Sequence, residues 1–330
     1  MEALDMGKPN DDCSWTPNPE LMELWPDTSG NTINGLSETE SRPPSPVFWR
    51  TDGSIAHTDV LHYFYNRDKD NERLSLARKL REEPVAMPLV DISNEKILKS
   101  ADDWIRSAKQ TALDLGADQV GICEYQPEWT FDDRPQPKGG WAIVLAFAHE
   151  YDNLKTAPHD DAYVEVMVQY ARAAKTSKLL ANWIRGQGWY ADPKMGPNTE
   201  DVLMIPAAIA AGIGQLGKHG SLINKELGSN FRLSIVLTDL PVEADFPEDF
   251  GSEEFCQNCQ ICVNACPPDA ISNSKQIVRG DEKWYVDFDK CIPYFVDNLV
   301  CGICLAVCPW SRPGIADNLV KKMARRRITN

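Results

Sequence analysis

At 330 residues the chain is long enough for one large or two modest domains with a buried core. Thirty-four basic against 49 acidic residues leave a formal net charge of −15, which disfavours non-specific attraction to nucleic acid or to an anionic membrane. No apolar run reaches the roughly 18 residues a spanning helix needs, and the N-terminus carries neither a secretory pattern nor a twin-arginine pair, so a cytoplasmic location is expected.

Residues 1–93 read as an irregular arm followed by short helices. The first 50 are rich in Pro, Asn, Asp, Ser and Gly, with scattered Trp15, Trp25 and Trp49 that suit an arm wrapped on the body. Cys13 reads as a free surface thiol, and His57 and His62, lacking partners at metal-ligand spacing, as packing or surface residues.

A more regular core is expected over 94–250. Trp104, Ile105, Ala108, Ala112 and Leu115 share one helical stripe, and Gly116 suits a C-terminal cap. Gln119–Tyr125, Trp141–Phe147 and Phe231–Asp239 read as strands, the last two as buried runs. A long helix is expected from about Asp161 to Gly186, an irregular loop over 188–198, and an alanine-rich helix from Pro206 to about Leu216. Gly212, Gly214 and Gly217 match the dinucleotide fingerprint G-x-G-x-x-G, but that motif must follow a strand and open a helix, whereas these glycines end one. The alternation of helices with buried strands indicates a mixed helix and sheet domain.

Residues 251–312 form a second module, followed by a basic tail over 313–330. Cys256, Cys259, Cys262 and Cys266 followed by Pro267 have the C-x₂-C-x₂-C-x₃-C-P spacing of a bacterial ferredoxin; Cys291, Cys301, Cys304 and Cys308 before Pro309 complete it. In such a pair three closely spaced thiolates hold one [4Fe–4S] cubane, and the cysteine before proline reaches across to the other. The expected ligands are therefore Cys256, Cys259, Cys262 and Cys308 for one cluster, and Cys266, Cys291, Cys301 and Cys304 for the other. Zinc ribbons use paired knuckles instead, and disulfides need an oxidising compartment.

Taken together, Tyr170, Leu180-Ala-Asn-Trp-Ile184, Gly188-Trp-Tyr-Ala191, Ala211-Gly-Ile-Gly-Gln-Leu-Gly-Lys218-His-Gly220, Thr238-Asp-Leu-Pro241 and the cysteine runs closely resemble the cobalamin-dependent reductive dehalogenases. That resemblance spans about residue 100 to Pro309. It implies an α+β architecture, with a nitroreductase-like core holding a base-off corrinoid (cobalamin) and a ferredoxin-like module with two [4Fe–4S] clusters. By motif position it implies Tyr170 as proton donor, Lys218 as the cation beside it and Asn198 as a third polar contact. The resemblance places Gly212, Gly214, Gly217, His219 and Gly220 in the corrinoid's surroundings. Read alone, Tyr170 is an ordinary helix tyrosine and Lys218 a helix C-terminal cation.

The implied substrate is a small organohalide such as a halogenated phenol, with electrons from a separate ferredoxin, flavodoxin or reductase, and with neither nucleic acid nor membrane as partner. Two alternatives share the architecture. One is epoxyqueuosine reduction on transfer RNA, which wants a basic face and a carboxylic acid where Tyr170 stands. The other is a non-enzymatic corrinoid-handling protein.

Overall fold

The computed structural model describes residues 15–196 and 201–329, so the expectations for Cys13 and Asn198 fall outside it. The core sheet is built from β1 (Gln119–Glu124), β2 (Trp141–Ala148) and β3 (Ala191–Lys194). After a small hairpin of β4 (Gln215–Leu216) and β5 (Leu222–Ile223), the sheet is completed by β6 (Phe231–Thr238). Their order is β1-β2-β6-β3, antiparallel at every pairing. The fold is therefore α+β, with helices on both faces of an antiparallel sheet.

Burial on both faces explains why β2 is apolar along its length and β6 from Ile235 to Leu237, rather than alternating. One face packs on the helices Ala101–Asp114 and Asp160–Gly186 through Trp104, Ile143, Leu145, Phe147, Leu180 and Ile184, all fully buried. The other meets the short helix Met204–Ala210 through Val144, Ile235, Ala207 and Ala208. Fully burying a side chain of this size stabilises the fold by about 1.5–3 kcal/mol. The approach of that short helix is close enough that a Cβ on Gly121 would lie 2.2 Å from the Ala211 carbonyl oxygen.

Two elements differ from the sequence reading. The alanine-rich helix stops at Ala210 because Gly212 turns the chain at φ +72, and Gln215–Leu216 becomes a strand. The segment read as loop contains β3, in which Pro193 pairs with Val236. Proline lacks an N–H and is tolerated there because β3 is an edge strand.

The arm is part of the body. Leu21, Phe48, Val60, Leu61 and Phe64 form one core with Tyr163 of the long helix and with Phe288 and Val296 of the helix Phe288–Asp297. Trp15 packs edge-on against Tyr294, and Trp49 against Phe295. The basic tail is a helix, Ala316–Thr329.

The cysteine-rich module docks on the core where Gly228 presses against it. At φ +63, a Cβ on Gly228 would fall 2.2 Å from the Trp310 carbonyl oxygen. Ser229 N–H donates to Ser311 Oγ (3.2 Å) and Asn230 Nδ2 to the Ser311 carbonyl (2.6 Å). Gly228→Ala is therefore expected to cost about 2 kcal/mol or more through backbone strain and the forced separation of the two surfaces. A chemical denaturation midpoint equal to that of the parent protein would contradict this docking.

Candidate active site and electron-transfer module

Spacing divides the eight cysteines of the module into two expected sets. Cys256 lies on the helix Ser252–Asn258, Cys259 at its end and Cys262 on the helix Ile261–Asn264; Cys308 returns to them just before Pro309. Burial pushes the Cys256 and Cys262 thiols up to about 12, and the neighbouring sulfurs of Cys259 and Cys308 push the same way. In the other set Cys304 feels Cys301, Cys291 and Cys266, after burial, which is the larger effect. Cys291 is likewise raised to about 12 and Cys301 to about 11. Cys304 also feels Cys262 of the first run, so the two runs lie against each other.

Such thiols stay protonated at neutral pH unless a metal takes the proton's place. They are unpaired by disulfides. Among the described residues no three His, Cys, Asp or Glu side chains converge on one ion centre. A cubane, which gives each thiolate its own iron, spreads its ligands wider than a single ion does. The donor set therefore fits iron–sulfur clusters better than zinc. N–H groups also point at the sulfurs, as from Ala270 to Cys266 Sγ at 3.4 Å, an arrangement that tunes cluster potential.

Beside the second set opens a cavity of about 650 Å³. Its walls combine aromatic and aliphatic side chains, with Phe48 and Trp49 from the arm, Phe64, and Phe295 from the module. Tyr170 from the long helix and Arg232 from β6 enter it, and Cys291 lies on its wall. The Arg232 guanidinium carbon sits 5.0 Å from the centre of the Tyr170 ring. A second cavity of about 410 Å³ shares Arg232, Cys291, Phe295 and Val300 with the first and is lined by Cys266, Cys301 and Cys304. Val300 and Cys301 belong to a run, Leu299 to Gly302, with φ between 42 and 84. Non-glycine residues held there store about 1–3 kcal/mol each, a strain that clusters at functional sites.

Of the residues expected around a corrinoid, His219 and Gly220 line the second cavity. Gly212, Gly214 and Gly217 have another role. A Cβ on Gly212 would meet the Phe246 carbonyl oxygen at 2.8 Å, and one on Gly214 the Ile223 carbonyl oxygen at 2.6 Å. Gly217 lies against the His219 ring. These glycines serve close packing of the chain on itself.

Lys218 lies away from Tyr170. Its ammonium, fully buried, donates to the Cys259 carbonyl (2.9 Å) and lies 4.9 Å from the Trp284 ring centre. It does not line the cavity that Tyr170 enters. The cation beside Tyr170 is Arg232, brought there by the pairing of β2 with β6, which sets it opposite Phe147. Its one signal in the sequence was a charged residue inside an otherwise apolar strand. The arm's contribution to the cavity, and Arg78 within it, had no signal of that kind. Arg78 donates through Nε to Tyr163 Oη (2.6 Å) and through Nη1 to the Tyr65 carbonyl (3.1 Å).

Three buried histidines surround this region. His219 Nε2 lies 2.9 Å from Ser229 Oγ, and burial pulls its pKa from 6.5 down to about 4. His149, against Arg232, is pulled well below its ordinary value by burial, and His57 is lowered for the same reason. Because each binds its proton more weakly folded than unfolded, stability is full above about pH 6.5 and falls as the pH drops toward 4. The His219 shift alone is worth roughly 3 kcal/mol. Thermal midpoints measured at pH 7.5 and 5 should fall in acid, and less steeply for His219→Gln; equal slopes for both proteins would rule this out.

Residues 255–311 match the 4Fe-4S dicluster domain model. Over 210 residues the chain is 31% identical to a tetrachloroethene reductive dehalogenase of Desulfitobacterium hafniense, covering 60% of this chain and 37% of the relative. Over 60% of its length the chain is similar in sequence to this reductive dehalogenase. It spans a little over a third of that relative's length. A solved catabolic reductive dehalogenase, in complex with 3-bromo-4-hydroxybenzoic acid, superposes with a TM-score of 0.70 at 22% identity, covering 93% of this chain and 49% of that one, which supports the fold. The chain is also 34% identical over 205 residues to an epoxyqueuosine reductase of Leadbetterella byssophila, covering 55% of this chain and 63% of the relative. No helix among the described residues is long and apolar enough to cross a membrane.

Proposed function

We propose that the protein is a cobalamin-dependent reductive dehalogenase acting on a small halogenated aromatic. The reading is carried by one observation: Tyr170 and Arg232 share an aromatic cavity whose wall includes Cys291 of the second cysteine set. We further infer two [4Fe–4S] clusters, held by Cys256, Cys259, Cys262 and Cys308, and by Cys266, Cys291, Cys301 and Cys304. The residues 94–250 would hold the corrinoid and 251–312 the clusters.

The chain's residues fit a corrinoid. The two cavities adjoin along Arg232, Cys291, Phe295 and Val300 and have largely apolar walls. Nearby, Arg232 Nε and both ring nitrogens of His149 are buried without a hydrogen-bond partner. When bound, the corrinoid supplies a strongly reducing, nucleophilic metal centre able to break a carbon–halogen bond. The aromatic walls hold the ring of the substrate and exclude water. Tyr170 Oη donates the proton that replaces the halide. The Arg232 guanidinium stabilises the negative charge left on that oxygen. The cysteine sets deliver electrons singly from outside.

The test is reconstitution with iron, sulfide and cobalamin, followed by halide release from a panel of halophenols and halogenated hydroxybenzoates under reduction. Release above the free-cobalamin background supports the reading. Background release together with turnover of epoxyqueuosine-containing transfer RNA would replace it with the tRNA-modifying alternative. Cobalamin uptake without turnover of either substrate would favour the corrinoid-handling one.

A further inference from the structure

We propose that the outward face of the C-terminal helix Ala316–Thr329 is the docking surface for a small acidic one-electron carrier protein, whose electron enters through the first cysteine set. The inference rests on the reading of the cysteines as cluster ligands. The chain as a whole carries −15, yet this helix concentrates Lys321, Lys322, Arg325, Arg326 and Arg327, all exposed. Its inner face is anchored directly over the first set. Ala316, Leu319 and Val320 pack on the cluster of side chains that contains Cys256, Cys308 and Trp310. Met323 is buried against Gly251. Arg327 donates from Nε to Glu254 Oε1 (2.9 Å) and from Nη2 to Asp249 Oδ2 (2.8 Å), tying the basic helix to the helix that bears Cys256. A depression of about 370 Å³ lined by Gln257, Asn258 and Arg326 runs between the two helices.

Position decides what this surface serves. The second set lines the cavities around Tyr170, and the first set lines neither. Electrons that leave through the second set must therefore enter at the first. Tunnelling falls steeply with distance, so a carrier must dock on the face nearest that set, and this face is positive. A positive patch on an otherwise acidic protein steers an acidic carrier and turns away carriers of the wrong sign. An RNA substrate, by contrast, would have to present its base at the cavity of the other set. In the transfer, the reduced carrier loses one electron and the oxidised cubane gains it, going from [4Fe–4S]²⁺ to [4Fe–4S]⁺ with no proton exchanged.

The experiment follows anaerobic bleaching of the reconstituted protein's cluster absorbance, mixed with a reduced acidic bacterial-type ferredoxin or with dithionite. For Lys321→Glu/Lys322→Glu/Arg325→Glu the ferredoxin rate constant should fall about tenfold or more at low salt, and the salt dependence of the parent protein should flatten. The milder Lys321→Gln/Lys322→Gln should show an intermediate loss, which covers the case of a misfolded triple variant. Iron content and the dithionite rate should not change. Equal ferredoxin rates in parent and variants overturn the proposal. So does retained ferredoxin reduction in a variant that has lost binding to transfer RNA or to phosphatidylglycerol vesicles. Because the readout is cluster reduction, absence of dehalogenation leaves it intact, whereas a protein that takes up no iron defeats the underlying reading.

Discussion

Tyr170→Phe should retain cobalamin and iron at the parent level while losing about 10²-fold or more of its halide release, the usual worth of a positioned general acid. The substitution removes one oxygen from a residue whose ring is held by the long helix and by Arg232 at 5.0 Å, so packing is conserved and only the proton is lost. Arg232→Met should show a comparable loss, since among the described residues no other cation is stacked on that ring, and Arg232→Lys should recover part of it. Lys218→Met provides the contrast. Its ammonium touches the Cys259 carbonyl and not the cavity, so its effect should appear in the properties of the first cluster rather than in proton delivery. Undiminished turnover in Tyr170→Phe would remove the proposed role, and a Lys218→Met defect equal to that of Arg232→Met would contradict the assignment of the cation.

Cys304→Ser should lower bound iron by about one cluster per chain and abolish halide release, while leaving the signal of the other cluster in the electron paramagnetic resonance spectrum. Burial and the neighbouring sulfurs hold the Cys304 thiol well above its ordinary value, so without metal the site would keep its thiols protonated. Loss of metal from a site that folds around it costs stability as well as chemistry. Cys123→Ser should change neither quantity, because Cys123 is packed in the sheet core with its thiol directed at the Ala207 carbonyl (3.4 Å). Iron content unchanged in Cys304→Ser would sink the ligand assignment.

The 4Fe-4S dicluster motif was legible because it is written in short intervals between cysteines along the chain. Likewise, the long helix and the buried strands follow from periodicity and apolar runs, which are local consequences of backbone geometry and burial. Other features depend on contacts between distant segments. Ala191–Lys194 could not be read as a strand, since its only claim to that state is an open edge beside Val236. Lys218 and Arg232 are both cations at plausible distances along the chain from Tyr170. Strand register alone turns one toward the ring, while docking of the cysteine module takes the other to Cys259. The arm, compositionally irregular, closes the cavity because Phe48 and Trp49 pack against rings from distant segments, Phe64, Phe288 and Phe295. The sequence alone thus determined where the cysteine runs fall and which segments fold locally. Which cation meets Tyr170, and what walls surround it, only the tertiary structure decided, because those choices are settled by pairing and packing across long separations in the chain.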